Sequence, residues 1–132
     1  MAQVFGGQKM DKIIYRELSY RVMEAVFEVH NTLGPGFVES VYEDALAYEL
    51  QLRHIPFEKP KSVIVSYKGR VVGKHRMDLV VDNKIILELK AVQGLTDVFK
   101  QQLHSYLRAT DLKLGILINF GTPRVQSVRI AN

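Results

Sequence analysis

The chain has 132 residues, 47% hydrophobic and 24% charged, with a formal net charge of +4 and a pI near 9.4. That length can bury the core of one domain, and no apolar run approaches the roughly 18 residues of a membrane span, so no membrane partner is expected. The chain contains no cysteine, which excludes disulfides, thiolate metal sites and a cysteine nucleophile, and fits a reducing, cytoplasmic setting.

Residues 1–12 lack the apolar segment of a signal peptide and read as a tail, leaving 13–132 as a single domain. A first helix is predicted over Arg16 to Leu33, where Leu18, Val22, Ala25, Val26, Val29 and Leu33 recur every three or four residues. Gly34-Pro35-Gly36 ends it. A second helix is predicted from about Val38 to Arg53, burying Val41, Ala45, Leu46, Tyr48 and Leu52, with Leu50 beside them. Ser62 to Tyr67 and Val71 to Gly73 flank the turn Lys68-Gly69-Arg70 and predict a hairpin. Its second strand continues, bent or bulged, through His75 and Arg76 into Asp78.

Residues 77–90 are the centre of the pattern. Met77, Leu79, Val81, Ile85, Leu87 and Leu89 alternate with other residues around Asp82-Asn83-Lys84, the signature of two half-buried strands. A two-residue loop would divide this apolar set between two faces. A three-residue loop pairs 81 with 85, 79 with 87 and 77 with 89, and gathers the set on one face. The same register sets Asp78 opposite Glu88 on the other face, with Lys90 two residues along.

Thr96 is expected to cap a third helix through Ala109, with Val98, Leu103, Tyr106 and Leu107 as its apolar stripe and Phe99 alongside. Lys113 to Phe120 is nearly all apolar, as in a strand covered on both faces, and a last strand spans Val125 to Ile130. The order is αα-βββ-α-ββ. The strand-helix-strand crossover makes strands 84–90 and 113–120 parallel neighbours. The expected fold is an α/β sandwich, a mixed sheet of four or five strands with flanking helices.

Three constellations could carry chemistry. Asp78 with Glu88-Leu89-Lys90 offers two hard carboxylates suited to Mg²⁺, and a lysine able to polarise water or stabilise charge on a phosphate. The alternative is a surface cluster in which Lys90 balances both carboxylates. Glu39, Tyr42 and Glu43 share a face of the second helix, where an acidic first turn also simply suits the helix dipole. Gln102 and Tyr106 stand one turn apart on the third helix, and Tyr106 alone would pass as core.

Taken in order, Asp78, Glu88-Leu89-Lys90 and Gln102-x-x-x-Tyr106 resemble the PD-(D/E)XK nuclease superfamily, especially its recombination-exonuclease branch. Gly36-x-x-Glu39-x-x-Tyr42 resembles the motif of the small GxxExxY family within it. The resemblance covers about residues 16–130, with Met77 standing where the superfamily name has proline. It implies a restriction-endonuclease-like fold in which Asp78 and Glu88, helped by the Leu89 carbonyl, hold Mg²⁺ or Mn²⁺. Glu39 would contact a metal through water or hold a second ion, Lys90 would orient or activate the attacking water, and Gln102 and Tyr106 would support the site or touch the nucleic-acid backbone. The implied activity is metal-dependent hydrolysis of DNA, or of RNA. The alternative is a non-catalytic module of the same fold that binds nucleic acid or protein. A homodimer is left open.

Arg70, Lys74 and Arg76 make the hairpin basic and could track a phosphate backbone, although such hairpins are commonly just solvated. His75, three residues before Asp78, reads as an exposed strand histidine or a phosphate contact. His30, His54 and His104 show no metal-ligand spacing.

Overall fold

The structure, a computed structural model, describes residues 13–132, so the predicted tail at 1–12 lies outside the described residues. Helix α1 (Arg16–Leu33) buries Val22, Ala25, Val26 and Val29 as its spacing predicts, and stops at Gly34, which takes φ 70° and donates its N–H to the His30 carbonyl at 2.8 Å. Only a residue without a Cβ adopts that conformation cheaply. Helix α2 (Glu39–Leu52) follows. Its Tyr42 hydroxyl donates to the Gly34 carbonyl at 2.5 Å and accepts from the Phe37 N–H at 3.2 Å, so this tyrosine ties the interhelix connection together.

The buried face of α2 matches the expected one at Leu46 and Leu50 and departs from it elsewhere. Tyr42, Glu43, Leu46 and Leu50 are buried, whereas Tyr48 and Leu52 are 62% and 54% exposed and Val41 is also on the surface. The helix carries apolar residues on two faces, and Tyr42 stacking on Phe120, with centroids 4.6 Å apart, fixes which one turns inward.

Five strands form the main sheet in the order β1 (Phe57–Glu58), β4 (Leu79–Val81), β5 (Ile85–Lys90), β6 (Leu114–Asn119) and β7 (Gln126–Ala131). Strands β5 and β6 are parallel and joined through helix α3 (Asp97–Thr110), as the crossover requires; the other pairs are antiparallel. Strands β2 (Lys61–Tyr67) and β3 (Arg70–Met77) form a separate hairpin with a bulge. The segment between the helices thus holds five strand pieces rather than three, because the predicted bent strand breaks at Asp78 into β3 and β4 and a two-residue β1 is added. Asp82 and Asn83 both take left-handed conformations at the β4–β5 turn, which Asp and Asn tolerate best among non-glycine residues. Lys84 is the third loop residue, and the observed pairs are Val81 with Ile85 and Leu79 with Leu87. The expected pairing of 77 with 89 does not form, since Met77 pairs with Lys61 in the hairpin.

Both faces of β4 and β5 are buried, where the alternation suggested one solvated face. Leu79, Val81, Ile85, Leu87 and Leu89 pack against α1 and α2, while Val80, Ile86 and Leu117 pack against Leu103, Tyr106 and Leu107 of α3. The third helix sits close because β6 carries Gly115, where an added Cβ would lie 2.7 Å from Leu103 Cδ1. Val98 falls outside the predicted stripe at 68% exposed, and Phe99 packs in its place. Thr96 flanks α3 with extended backbone but makes no side-chain cap bond. Among the described residues, no helix is long and apolar enough to cross a membrane.

Candidate active site

At Asp78 the chain leaves the hairpin and enters the main sheet, so β5 loses a backbone partner at Leu89. The Asp78 side chain takes its place: the Leu89 N–H donates to Asp78 Oδ2 at 2.8 Å, and the Asp78 N–H donates to Glu88 Oε1 at 3.3 Å. A buried N–H needs an acceptor, and here the acceptor is a carboxylate. Lys90 presents its carbonyl to the Phe120 N–H of the β6 side at 2.8 Å. Successive residues of a strand alternate their backbone groups, so the Leu89 carbonyl faces the Asp78 edge along with its N–H.

Both carboxylates are buried and their pKa values are displaced upward. Glu88 is raised from 4.5 to about 8, first by burial and then by the charge of Asp78, with Glu39 adding to it and the Asp78 N–H and Lys90 opposing. Asp78 is raised from 3.8 to about 6, again first by burial, against the Leu89 N–H and with Glu43 and Glu39 raising it further. The first turns of α2 therefore bring Glu39 and Glu43 into electrostatic reach of the sheet pair. Lys90 makes no ion pair among the described residues; its ammonium lies 4.4 Å from the centre of the Phe99 ring.

Arg76 is the cation that meets the cluster. Its guanidinium donates to Asp78 Oδ1 at 2.9 Å and to Glu43 Oε1 at 2.8 Å, tying β3 to α2. Lys59 lies 3.9 Å from Glu43 and bonds Asp44. Glu43, which the sequence places on one helix face with Glu39 a turn earlier, is buried, as a glutamate seldom is unless paired, and Arg76 is its partner. Arg70 and Lys74 stay exposed on the hairpin.

Tyr106 is buried with its phenol raised above its ordinary pKa, first by burial and then by Glu88 and Asp78. Its ring centroid is 6.0 Å from that of His75. Gln102, one turn earlier, is exposed on the same side of α3. Asn119 is a residue that sequence reasoning passed over. It pairs with Lys90 across the sheet and is fully buried. Its amide accepts from the Val92 and Gly121 N–H groups and donates to the Val92 carbonyl and Gln126, all at 3.0 Å. The chain leaving Lys90 is thereby pinned. The signal was available: a lone amide ends an otherwise apolar buried strand.

The donor set fits a hard divalent cation. Mg²⁺ characteristically takes one or two carboxylates and completes its shell with water and substrate phosphate, so the absence, among the described residues, of a cluster of three His, Asp or Glu side chains does not argue against it. Asp78 and Glu88 are two buried carboxylates whose mutual repulsion a cation would relieve, with a carbonyl on the same edge. The competing ligand is the Arg76 guanidinium.

A sequence model of the PD-(D/E)XK nuclease superfamily matches residues 16–130. The crystal structure of SSO0001 is similar in fold, with a TM-score of 0.58 and 26% identity, over 71% of this chain and 50% of that one. The chain thus spans about half the length of that protein. None of the curated proteins matches.

Proposed function

Since the chain belongs to the PD-(D/E)XK nuclease superfamily, whose nucleases generally use divalent metals, we propose that it hydrolyses phosphodiester bonds of nucleic acid with Mg²⁺ or Mn²⁺ held at Asp78 and Glu88. DNA is the first substrate to test and RNA the second. The observation that carries this reading is the interlock of Asp78 and Glu88 where β3 leaves the hairpin, which holds two buried carboxylates together with raised pKa values. The match of Gly36-x-x-Glu39-x-x-Tyr42 supports placing the chain in the GxxExxY group, with Glu39 as an outer carboxylate and Tyr42 as the tie between helices.

A bound divalent cation would supply Lewis-acid polarisation of the phosphoryl oxygen and a water of lowered pKa. Asp78, Glu88 and the Leu89 carbonyl would hold it. Lys90, resting on an aromatic ring rather than in an ion pair, keeps an ammonium available to orient the attacking water and meet charge developing on phosphorus. Asn119 positions the strand end that carries Lys90, and Tyr106 with Gln102 supports the far side.

A non-catalytic module that binds nucleic acid or protein is the rival, and the neutralisation of Asp78 and Glu43 by Arg76 favours it. Cleavage of single- and double-stranded DNA and RNA with Mg²⁺ or Mn²⁺ decides. Lys90→Ala keeps both carboxylates, so metal binding survives while the rate falls on the order of 10²–10³-fold with nucleic-acid binding largely kept. Wild type that cleaves nothing with either metal, alongside a Lys90→Ala variant that binds nucleic acid equally well, leaves the module reading standing.

A further inference from the structure

A cleft of ≈ 740 Å³ opens between the β2–β3 hairpin and α3, lined on its polar side by His75, Gln102, Ser105, Tyr106 and Arg108. It adjoins the candidate site through Tyr106, whose ring neighbours that of His75 and whose phenol feels the charges of Glu88 and Asp78. Its volume lies in the roughly 300–1,000 Å³ range of cavities that take small organic ligands.

The chemistry of the lining is specific. His75 is exposed and offers a ring face to stack on; Gln102 offers an amide able to read a base edge. Arg108 is held by His104 Nδ1 at 2.9 Å and by Ser105 Oγ at 3.2 Å, both uncharged partners in this arrangement. Among the described residues it makes no ion pair, so its charge is left for an anion at the cleft rim. Lys74 and Arg76 alternate with His75 along β3 and so project from its other face, which leaves the cleft with a single cation and a stacking surface rather than a broad basic track.

A stacking surface beside an isolated cation suits a strand whose bases are unpaired, because a duplex keeps its base faces inside the stack. We propose that this cleft holds an unpaired segment of the nucleic-acid strand next to the scissile phosphate, making single-stranded regions or ends the preferred substrate over uninterrupted duplex. This inference rests on the nuclease reading above and deepens it.

Ala109 is exposed and lines the cleft, so Ala109→Phe fills it from the α3 surface without touching the buried core. His75→Ala removes the stacking ring from β3 and serves as a second variant should the first not fold, with circular dichroism as the control. Fluorescence anisotropy with a labelled single-stranded oligonucleotide and a blunt duplex of the same sequence, at one fixed salt concentration, reads the outcome. Wild type should bind the single strand at least about tenfold more tightly, and each folded variant should lose affinity for it on the order of tenfold, as one stacked base is worth. Equal or tighter duplex binding, or single-strand affinity unchanged in both variants, overturns the cleft inference while a cleaving wild type keeps the nuclease reading. Wild type that binds and cleaves no nucleic acid overturns both.

Discussion

The two faces of strand β5 are both covered, fully on one and up to a partly exposed Lys90 on the other, and carry opposite burdens. Leu87 and Leu89 point into a layer with α1 and α2 built mainly of aliphatic side chains, among them Val22, Val26, Leu46 and Leu50. Ile86 starts the other face in the same way, against α3, but Glu88 and Lys90 then replace the hydrocarbon at the strand's end. Burial on the first face stabilises the fold; burial on the second costs stability and raises two carboxylate pKa values. The difference shows where the molecule keeps chemistry: at the one edge of the sheet where β4 has ended and a side chain stands in for a backbone partner.

The largest effect should come from breaking the apolar face. Leu87→Ala leaves a cavity at a fully buried position, for an expected loss of about 2–5 kcal/mol in urea unfolding. Divalent metal should still raise the melting temperature of this variant, because both carboxylates remain. A variant that unfolds like wild type but loses its metal response would mean that the two faces do not divide the work in this way.

The register of β4 and β5, the parallel β5–β6 pair and the crossover helix were legible because period, turn chemistry and handedness each speak locally. The face of α2 was not. Its apolar residues Val41, Tyr48 and Leu52 fit a helical stripe as well as Tyr42, Leu46 and Leu50 do, and only packing against Phe120 chooses between them. The break at Asp78 was half visible, as a bend rather than a change of sheet. In the candidate site the motif residues could be read from order and spacing, whereas the pairing of Arg76 with Glu43 and of Asn119 with Val92 spans 33 and 27 positions of chain, so spacing alone does not report these contacts.

The second effect is smaller and has a sign opposite to the first. The folded-state pKa of Glu88 lies above its unfolded value, so its contribution to the stability of the metal-free protein is fully present below about pH 4.5 and is lost as pH rises towards about 8. Asp78 behaves alike between 3.8 and about 6. Glu88→Gln removes the larger part. Compared with wild type it should gain about 1–3 kcal/mol in metal-free stability by pH 8, with little difference near pH 5. It should also lose the metal-dependent melting increment, which in wild type grows with pH because the ligands must be deprotonated. Parallel stability curves for the two proteins would show that Glu88 is not ionising inside the fold.

Arg76 gives the smallest effect and the sharpest test of the charged face. Its guanidinium is about half exposed at 52%, so its ion pairs with Asp78 and Glu43 are partly screened and their loss in Arg76→Ala should cost about 1 kcal/mol or less. Metal affinity should move the other way. The bond from Arg76 occupies Asp78 Oδ1 while Leu89 occupies Oδ2, so both oxygens of one candidate ligand are engaged before a cation arrives. Removing the guanidinium frees one oxygen without changing the backbone that aims it, and Mn²⁺ should bind severalfold more tightly to the variant in a calorimetric titration without nucleic acid. Leaving nucleic acid out separates this competition from any contact between Arg76 and a phosphate. An affinity that falls instead would make Arg76 the residue that orients Asp78 for the metal, and would move it from competitor to support.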